Sequence, residues 1–479
     1  MNDRWKSGRW ASQSSLKQRY KPRTDDSSVT APPLGQLIQM LEKSDLQMAS
    51  QDYLDKASIH NCELVTSYNW LDKTEPTMLI PGNPPRWTPQ PGEVTLPQDS
   101  GVYFRDKNAS RYPFHLMEST VLAALNLDPN LPADLDIVAC YSSLGHLIRF
   151  ALGKEKSFRI LVQAVDSTVF FVRRENSPTE KLEGIKGYGH TFPEAHTTWD
   201  PEMKGSDTSH RILKYSFGGL RMLVRAEADA YVPDRVGQAL PSGSSSRPAA
   251  KTASASPSTT SADIADLTQY LQGLLSTETT IPSPSPSPSI PSITTISSSP
   301  TTPIPQSQIL EIKTRTLWKE TREDTVAEEM PKLWLAQIPN FLVAYHDRGT
   351  FPADVPVQDV RPRVERWERL ARRDLAAFAA LLHEVIRLVR GRQDGKLELC
   401  RSGMGGLEVR EQLGDAGEVL SAGLKERWRD GNNNSGNEGD GVVADLDASD
   451  DDPWEDGQDW TFCSVECEYC GWCKNEDSS

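Results

Sequence analysis

Apolar and polar positions alternate with a period of two in several stretches of this chain, the signature of half-buried strands. Phe158-Arg159-Ile160-Leu161-Val162-Gln163-Ala164-Val165 and Thr168-Val169-Phe170-Phe171-Val172 predict a strand pair around a short Asp166-Ser167 turn. His210 to Tyr231 predicts two strands split by Gly218-Gly219. A strand, a helix and a strand are predicted over 309–345, followed by one long amphipathic helix from Arg361 to Arg390. The apolar stripe of that helix runs Val364, Trp367, Leu370, Leu375, Phe378, Leu381, Leu382, Val385, Ile386 and Val389. Arg363, Arg366, Arg369 and Arg372 fall on its wet side, as a solvated face or, less favoured, an RNA-phosphate track.

Composition divides the chain. Residues 1–33 read as a disordered basic arm, with seven Lys or Arg and one Asp in the first 23 residues, besides Trp5 and Trp10. Residues 34–237 read as globular. The block 238–308 is dominated by Ser, Pro and Thr and is expected to lack a core, with one helical island over 263–275. Residues 309–425 resume the globular text, 426–460 form an acidic tail and 461–479 a cysteine-rich end. The net charge of −15 is concentrated there, since Asp430 onward holds 15 acidic residues and one lysine. The body is nearly neutral, so overall acidity does not argue against a nucleic-acid substrate. No run of 18 apolar residues occurs, so no membrane-spanning helix is expected.

Two strands carry candidate chemistry. In the first, Arg225, Glu227 and Asp229 point opposite to Met222, Val224, Ala226, Ala228 and Ala230. In the second, Glu311 and Lys313 lie opposite Leu310 and Ile312. Residues two apart on a strand are roughly 7 Å from each other, so each pair fits one pocket. A carboxylate cluster beside a lysine suits metal-dependent phosphodiester hydrolysis, because hard divalent cations take oxygen ligands and a lysine can position water. The commoner origin of such alternation is a solvated strand edge. The Ser/Pro/Thr block lies between the two strands, so if they are neighbours it is an extruded loop. Closure entropy grows only logarithmically with loop length and permits this.

Cys463, Cys467, Cys470 and Cys473 form a cramped cluster able to bind Zn2+ through thiolates, or to serve redox chemistry or a partner. Cys62, Cys140 and Cys400 are scattered, which favours a reducing compartment, the nucleus or the cytoplasm. A prenyl-diphosphate synthase is excluded, because the dense aspartates Asp450-Asp451-Asp452 sit in a Gly/Asn-rich tail. His190, His196 and His210 lack ligand spacing.

The order of these segments resembles a divergent, fungal-type member of the DXO family of RNA 5′-end decapping nucleases. The early stretch Gly101-Val102-Tyr103-Phe104-Arg105-Asp106 with Arg111-Tyr112 is similar to that family's first motif. The two acidic strands follow, then Lys332-Leu333-Trp334-Leu335-Ala336-Gln337 and a turn ending His346-Asp347-Arg348-Gly349. The resemblance implies an α+β fold of the PD-(D/E)XK nuclease type, a mixed central sheet flanked by helices, with a long disordered insertion and disordered termini. It implies a hydrolase of RNA 5′ ends, decapping or pyrophosphohydrolytic and extending to 5′–3′ exoribonuclease action, dependent on Mg2+ or Mn2+. Glu227, Asp229, Glu311 and Lys313 would be catalytic, with Glu227, Asp229, Glu311 and Glu194 as metal ligands and Lys332 and Gln337 on the substrate. RNA 5′ ends and a processive 5′–3′ exoribonuclease would be its partners, with no membrane. Two positions depart from the pattern. Tyr141 stands near an expected arginine, and Pro193 stands where a metal-binding glutamate falls, one place before Glu194. They keep open the alternative of a catalytically degenerate RNA-end or protein-binding module.

Overall fold

The computed structural model describes residues 30–182, 184–233, 290–298, 302–403 and 405–433. The expectations for the basic arm, the 263–275 island, most of the Ser/Pro/Thr block, the acidic tail beyond 433 and the cysteine cluster lie outside those residues.

Among the described residues two sheets dominate an α+β fold. The larger has 11 strands, and its centre holds Phe158–Val165, Thr168–Arg173, Ile137–Cys140, Leu220–Glu227, Ser206–Phe217 and His60–Leu71 in that spatial order. Ile137–Cys140 runs parallel to both its neighbours, and the other pairs of that series are antiparallel. The smaller sheet has six strands, with Ala230–Tyr231, Ile309–Thr316 and Asn340–His346 adjacent. Ile309–Thr316 and Asn340–His346 are parallel, and helix Thr325–Leu335 is their crossover. Parallel neighbours need such a crossover, so the strand–helix–strand pattern in the sequence is met as one βαβ unit.

Helices cover both faces of the large sheet. On one, the helix Arg372–Arg390 packs Leu375, Phe378, Leu382, Val385 and Val389, all fully buried, against the sheet and helix Tyr141–Ala151. Phe378 stacks on Phe217, with ring centroids 5.3 Å apart. On the other face, helices Glu118–Leu127 and Ala422–Asn433 enclose a second core. No helix among the described residues is long and apolar enough to cross a membrane.

Three details differ from the sequence reading. The long helix is two, Arg361–Leu370 and Arg372–Arg390, broken at Ala371. The break lets Val364 and Trp367 also pack on the core of the smaller sheet, and it leaves Leu370 71% exposed. On the arginine face, Arg363 pairs with Asp324, and Arg372 bonds Asp55 and the Leu54 carbonyl. Within the Ser/Pro/Thr block, Thr294–Ser297 forms an edge strand parallel to Thr77–Ile80. Its side chains are exposed, so the pairing rests on backbone groups and leaves no period-two signal. Residues assigned to the acidic tail begin inside helix Ala422–Asn433, which Trp428 anchors by burial and a 3.2 Å bond from Nε1 to Thr168 Oγ1.

Phe378→Ala is expected to lower the unfolding free energy by about 3–5 kcal/mol, because its ring is wholly buried between helix and sheet. Urea unfolding with an unchanged slope checks this.

Candidate functional site

The chain passes from one sheet to the other at the first acidic segment. Leu220–Glu227 ends in the large sheet, and Ala230–Tyr231 begins in the small one, paired antiparallel to Ile309–Thr316 through Ala230 and Leu310. At the crossing the Ala228 amide donates to the Ser209 carbonyl at 3.0 Å. The Ile312 amide donates to Asp229 Oδ2 at 2.9 Å. Glu227 and Asp229 are thereby held beside Glu311 and Lys313, although the two segments are about 80 residues apart in the sequence.

Two of the three carboxylates, Glu227 and Glu311, meet a lysine. Glu311 is wholly buried; its Oε1 lies 3.1 Å from Lys313 Nζ and also accepts from Lys332 Nζ. Its Oε2 is buried without a hydrogen-bond partner. Lys313 further approaches Glu329 at 3.9 Å, and Lys107 approaches Glu227 at 3.7 Å. Burial acts to lower the pKa of Lys107, Lys313 and Lys332, but the surrounding carboxylates outweigh it and all three are raised. They are therefore ammonium ions at neutral pH.

The floor opens into a cleft of about 850 Å3, within the roughly 300–1,000 Å3 range of pockets that enclose an organic ligand. It lies at the carboxyl ends of the parallel strands Ile137–Cys140 and Leu220–Glu227, where a βα turn opens helix Tyr141–Ala151. The walls carry Arg105, Arg173, Arg225 and Arg315 with Tyr103, Tyr141 and His190. Tyr103 and His190 stack with centroids 3.7 Å apart, and burial with Lys107 nearby pushes the His190 pKa down to about 4. Tyr141 faces the Lys332 ammonium, 5.3 Å from its ring centroid, and burial raises its hydroxyl to about 12. The Cys140 thiol is also in the wall, where Arg225 and the Ser142 and Ser143 hydroxyls outweigh burial and lower its pKa.

The predicted residues separate into two groups. Glu227, Asp229, Glu311 and Lys313 converge. Glu194 lines the cleft from helix Thr191–His196. In a helix, the step from Pro193 to Glu194 turns the side chain by about 100°, not to an opposite face. Lys332 is buried on Glu311 and lines a smaller recess beside the cleft. Gln337 does not line the cleft; it closes helix Thr325–Leu335 at φ 49°, its Nε2 donating to the Trp334 carbonyl at 2.6 Å. Lys107 and Glu329 escaped the sequence reading. Glu329 lies three residues before Lys332 on one helix face, and Lys107 follows the N-capping Asp106, so helical spacing and the cap were the signals.

The donor set is all carboxylate, which suits a hard cation. Its arrangement does not. Among the described residues no three of His, Cys, Asp and Glu group for one ion. Ammonium groups occupy Glu227 and Glu311, and a backbone amide takes one oxygen of Asp229. In this arrangement the residues do not fit a bound divalent metal.

Fold and site define an α+β protein with a carboxylate–lysine cleft between two sheets. Residues 36–397 match the family described as Domain of unknown function (DUF8563), and the chain belongs to that family. No curated protein matches it. Among solved structures it is similar to Scheffersomyces stipitis Rai1 in complex with (3′-NADP)+ and calcium ion, at 12% identity over 82% of this chain and 100% of that one, with a TM-score of 0.48. It is also similar to Candida albicans Rai1 in complex with pU5-Mn2+, at 10% identity over 79% and 98%, TM-score 0.45. A third is K. lactis Dxo1 in complex with manganese, at 8% identity over 81% and 96%, TM-score 0.40.

Glu328, on the crossover helix 3.8 Å from Arg315, has its pKa pushed up to about 7 by burial, against the pull of Arg315. The folded state then holds a proton that the unfolded chain has released between about pH 4.5 and 7, so this residue's contribution to stability falls as pH rises through that window. Glu328→Gln should match the wild type near pH 4.5 and unfold at a higher temperature at pH 8. Melting curves at the two values check the sign.

Proposed function

We propose that the protein acts on RNA 5′ ends, admitting a phosphorylated or capped terminus to the cleft. The observation that carries this is the meeting of Glu227, Asp229 and Lys313 at one cleft, with Glu311 buried against Lys313, from the two segments whose order resembles a decapping nuclease. The walls support it chemically. Arg105, Arg173, Arg225 and Arg315 offer guanidinium groups to phosphate oxygens, and Tyr103 with His190 offers a flat face to a base. Hydrolysis of a phosphoanhydride or phosphodiester bond is the activity proposed for this end. Mg2+ or Mn2+ is part of that proposal, but no step is assigned to a metal, given how the carboxylates are held. A processive 5′–3′ exoribonuclease partner, and nucleus or cytoplasm as the compartment, belong to the same proposal.

A second reading, an RNA-end-binding module without turnover, is favoured by one feature. Lys313 and Lys332 already neutralise Glu311, so the floor is electrically complete without a divalent ion.

The test offers 5′-triphosphate, unmethylated-cap and NAD-capped RNA with Mn2+ or Mg2+, and follows nucleotide release. Hydrolysis predicts metal-dependent product from at least one substrate. Asp229→Asn should cut it by about 10²–10³-fold, while keeping an oxygen to accept the Ile312 amide. Asp229→Ala is the poorer choice, because it would orphan that amide. Binding without product selects the second reading. Failure to bind any 5′-end RNA rejects the proposal.

A further inference from the structure

Beside the cleft lies a smaller recess of about 130 Å3, walled by helix Tyr141–Ala151, the strands Phe158–Val165 and Thr168–Arg173, and the crossover helix. It shares Arg105, Tyr141, Arg173, Lys313 and Arg315 with the cleft, so the two spaces adjoin. It is too small for a nucleoside, well under the ~300 Å3 of the smallest pockets that enclose organic ligands. Its lining is basic, with nine Lys or Arg side chains against three glutamates, Glu175, Glu328 and Glu329.

Most of those cations are matched. Arg173 holds Glu175 at 2.5 Å, Arg105 holds Glu180 at 2.8 Å, and Arg159 and Arg174 share the buried Glu398 at 2.5 and 2.9 Å. Lys313 and Lys332 share Glu311. Two arginines stand out. Arg315 is 4% exposed, its nearest carboxylate is Glu328 at 3.8 Å, and its Nε is buried without a hydrogen-bond partner. No carboxylate among the described residues pairs with Arg149, and its Nε is likewise buried and unpartnered. His146, 8% exposed and three residues before Arg149 on the same helix, also leaves Nδ1 unpartnered. Buried guanidinium nitrogens left unsatisfied are costly, and a small oxyanion would satisfy them.

We propose that this recess is a second phosphate subsite, which takes a phosphate group adjoining the one admitted to the cleft. Arg149 and Arg315 are its donors. The proposal rests on the reading that the cleft admits an RNA 5′ terminus. The adjoining phosphate has two sources, the 5′ polyphosphate chain or the backbone link to the second nucleotide.

Equilibrium binding of uridine 5′-monophosphate, uridine 5′-triphosphate and the dinucleotide pUpU to the full chain separates them. The expected result is at least tenfold tighter binding of the triphosphate or of pUpU than of the monophosphate, and the tighter ligand identifies the source. Arg149→Ala, which touches the recess and not the cleft, should abolish that gain and leave the monophosphate unchanged. It should also lower the salt slope of the tighter ligand by about 0.7. Arg149→Lys should restore part of the gain. Lys156→Ala, in a loop at the recess, gives a second variant that does not disturb a helix. No gain over the monophosphate, a gain that survives Arg149→Ala, or an equal loss for all three ligands would overturn the subsite. If the monophosphate itself does not bind, the 5′-end reading falls. Inorganic pyrophosphate then decides the recess alone: binding that requires Arg149 keeps it, and no binding ends it.

Discussion

The hydrogen bond from the Ile312 amide to Asp229 Oδ2 is the constraint around which the site is built. It occurs where the chain leaves the large sheet after Glu227 and enters the small one at Ala230. A carboxylate accepting a backbone amide replaces a ladder bond at a point where regular pairing stops, so the crossing keeps a fixed register. The cleft is the gap this crossing leaves between the sheets. The insertion between the two acidic segments is closed from the same side. Buried Arg211 bonds Gln306 Oε1 and the Ile304 carbonyl, both at 2.7 Å, and Ile304 donates to Asn83 Oδ1 at 3.1 Å. Burial without a carboxylate partner pulls the Arg211 pKa down to about 10. The cost of that buried cation is offset by pinning the returning end of the insertion just before Ile309–Thr316.

Charge in the floor is arranged in alternation. A carboxylate as fully buried as Glu311 would be strongly destabilising alone, and one lysine would leave a lone pair of charges with little support. Two lysines on one oxygen, with Glu329 beside Lys313, make a network in which Glu311 meets two lysines and Lys313 meets two glutamates. Lys107 on Glu227 extends it to the crossing strand. The raised pKa values of all three lysines follow from this, since each ammonium is stabilised by several acids at once.

Period two made the strands legible, and with them the shared face of Glu227 with Asp229 and of Glu311 with Lys313. The pairing of the two strands was legible only as an ordering of motifs, because periodicity carries no information about which strands are neighbours. Lys332 was expected at the substrate and instead serves Glu311. Its target depends on how the crossover helix is rotated over the sheet, which the local sequence does not specify. Gln337, also expected at the substrate, lies off the cleft for a similar reason: a left-handed helix end turns its side chain back onto Trp334. Thr294–Ser297 was hidden in Ser/Pro/Thr-rich text, where a strand held by backbone pairing alone has no apolar face to show. Glu194 lies on a short helix, and there the preceding proline is compatible because it sits in the first turn.

Tyr141 shows how these points combine. It stands near the position where the resemblance expects an arginine, at the start of a helix that opens on the cleft. The positive charge there comes from across the cleft floor, as Lys332 lies 5.3 Å from its ring. A guanidinium at this helix start would be free to turn toward a ligand. An ammonium held by Glu311 and backed by an aromatic face is fixed, and its charge is already shared with a carboxylate. The cleft's cations outside this network include the wall arginines Arg105, Arg173, Arg225 and Arg315. Arg225 shares its strand with Glu227, and Arg315 shares its strand with Glu311, so the same two strands carry both the acids of the floor and part of the cationic wall.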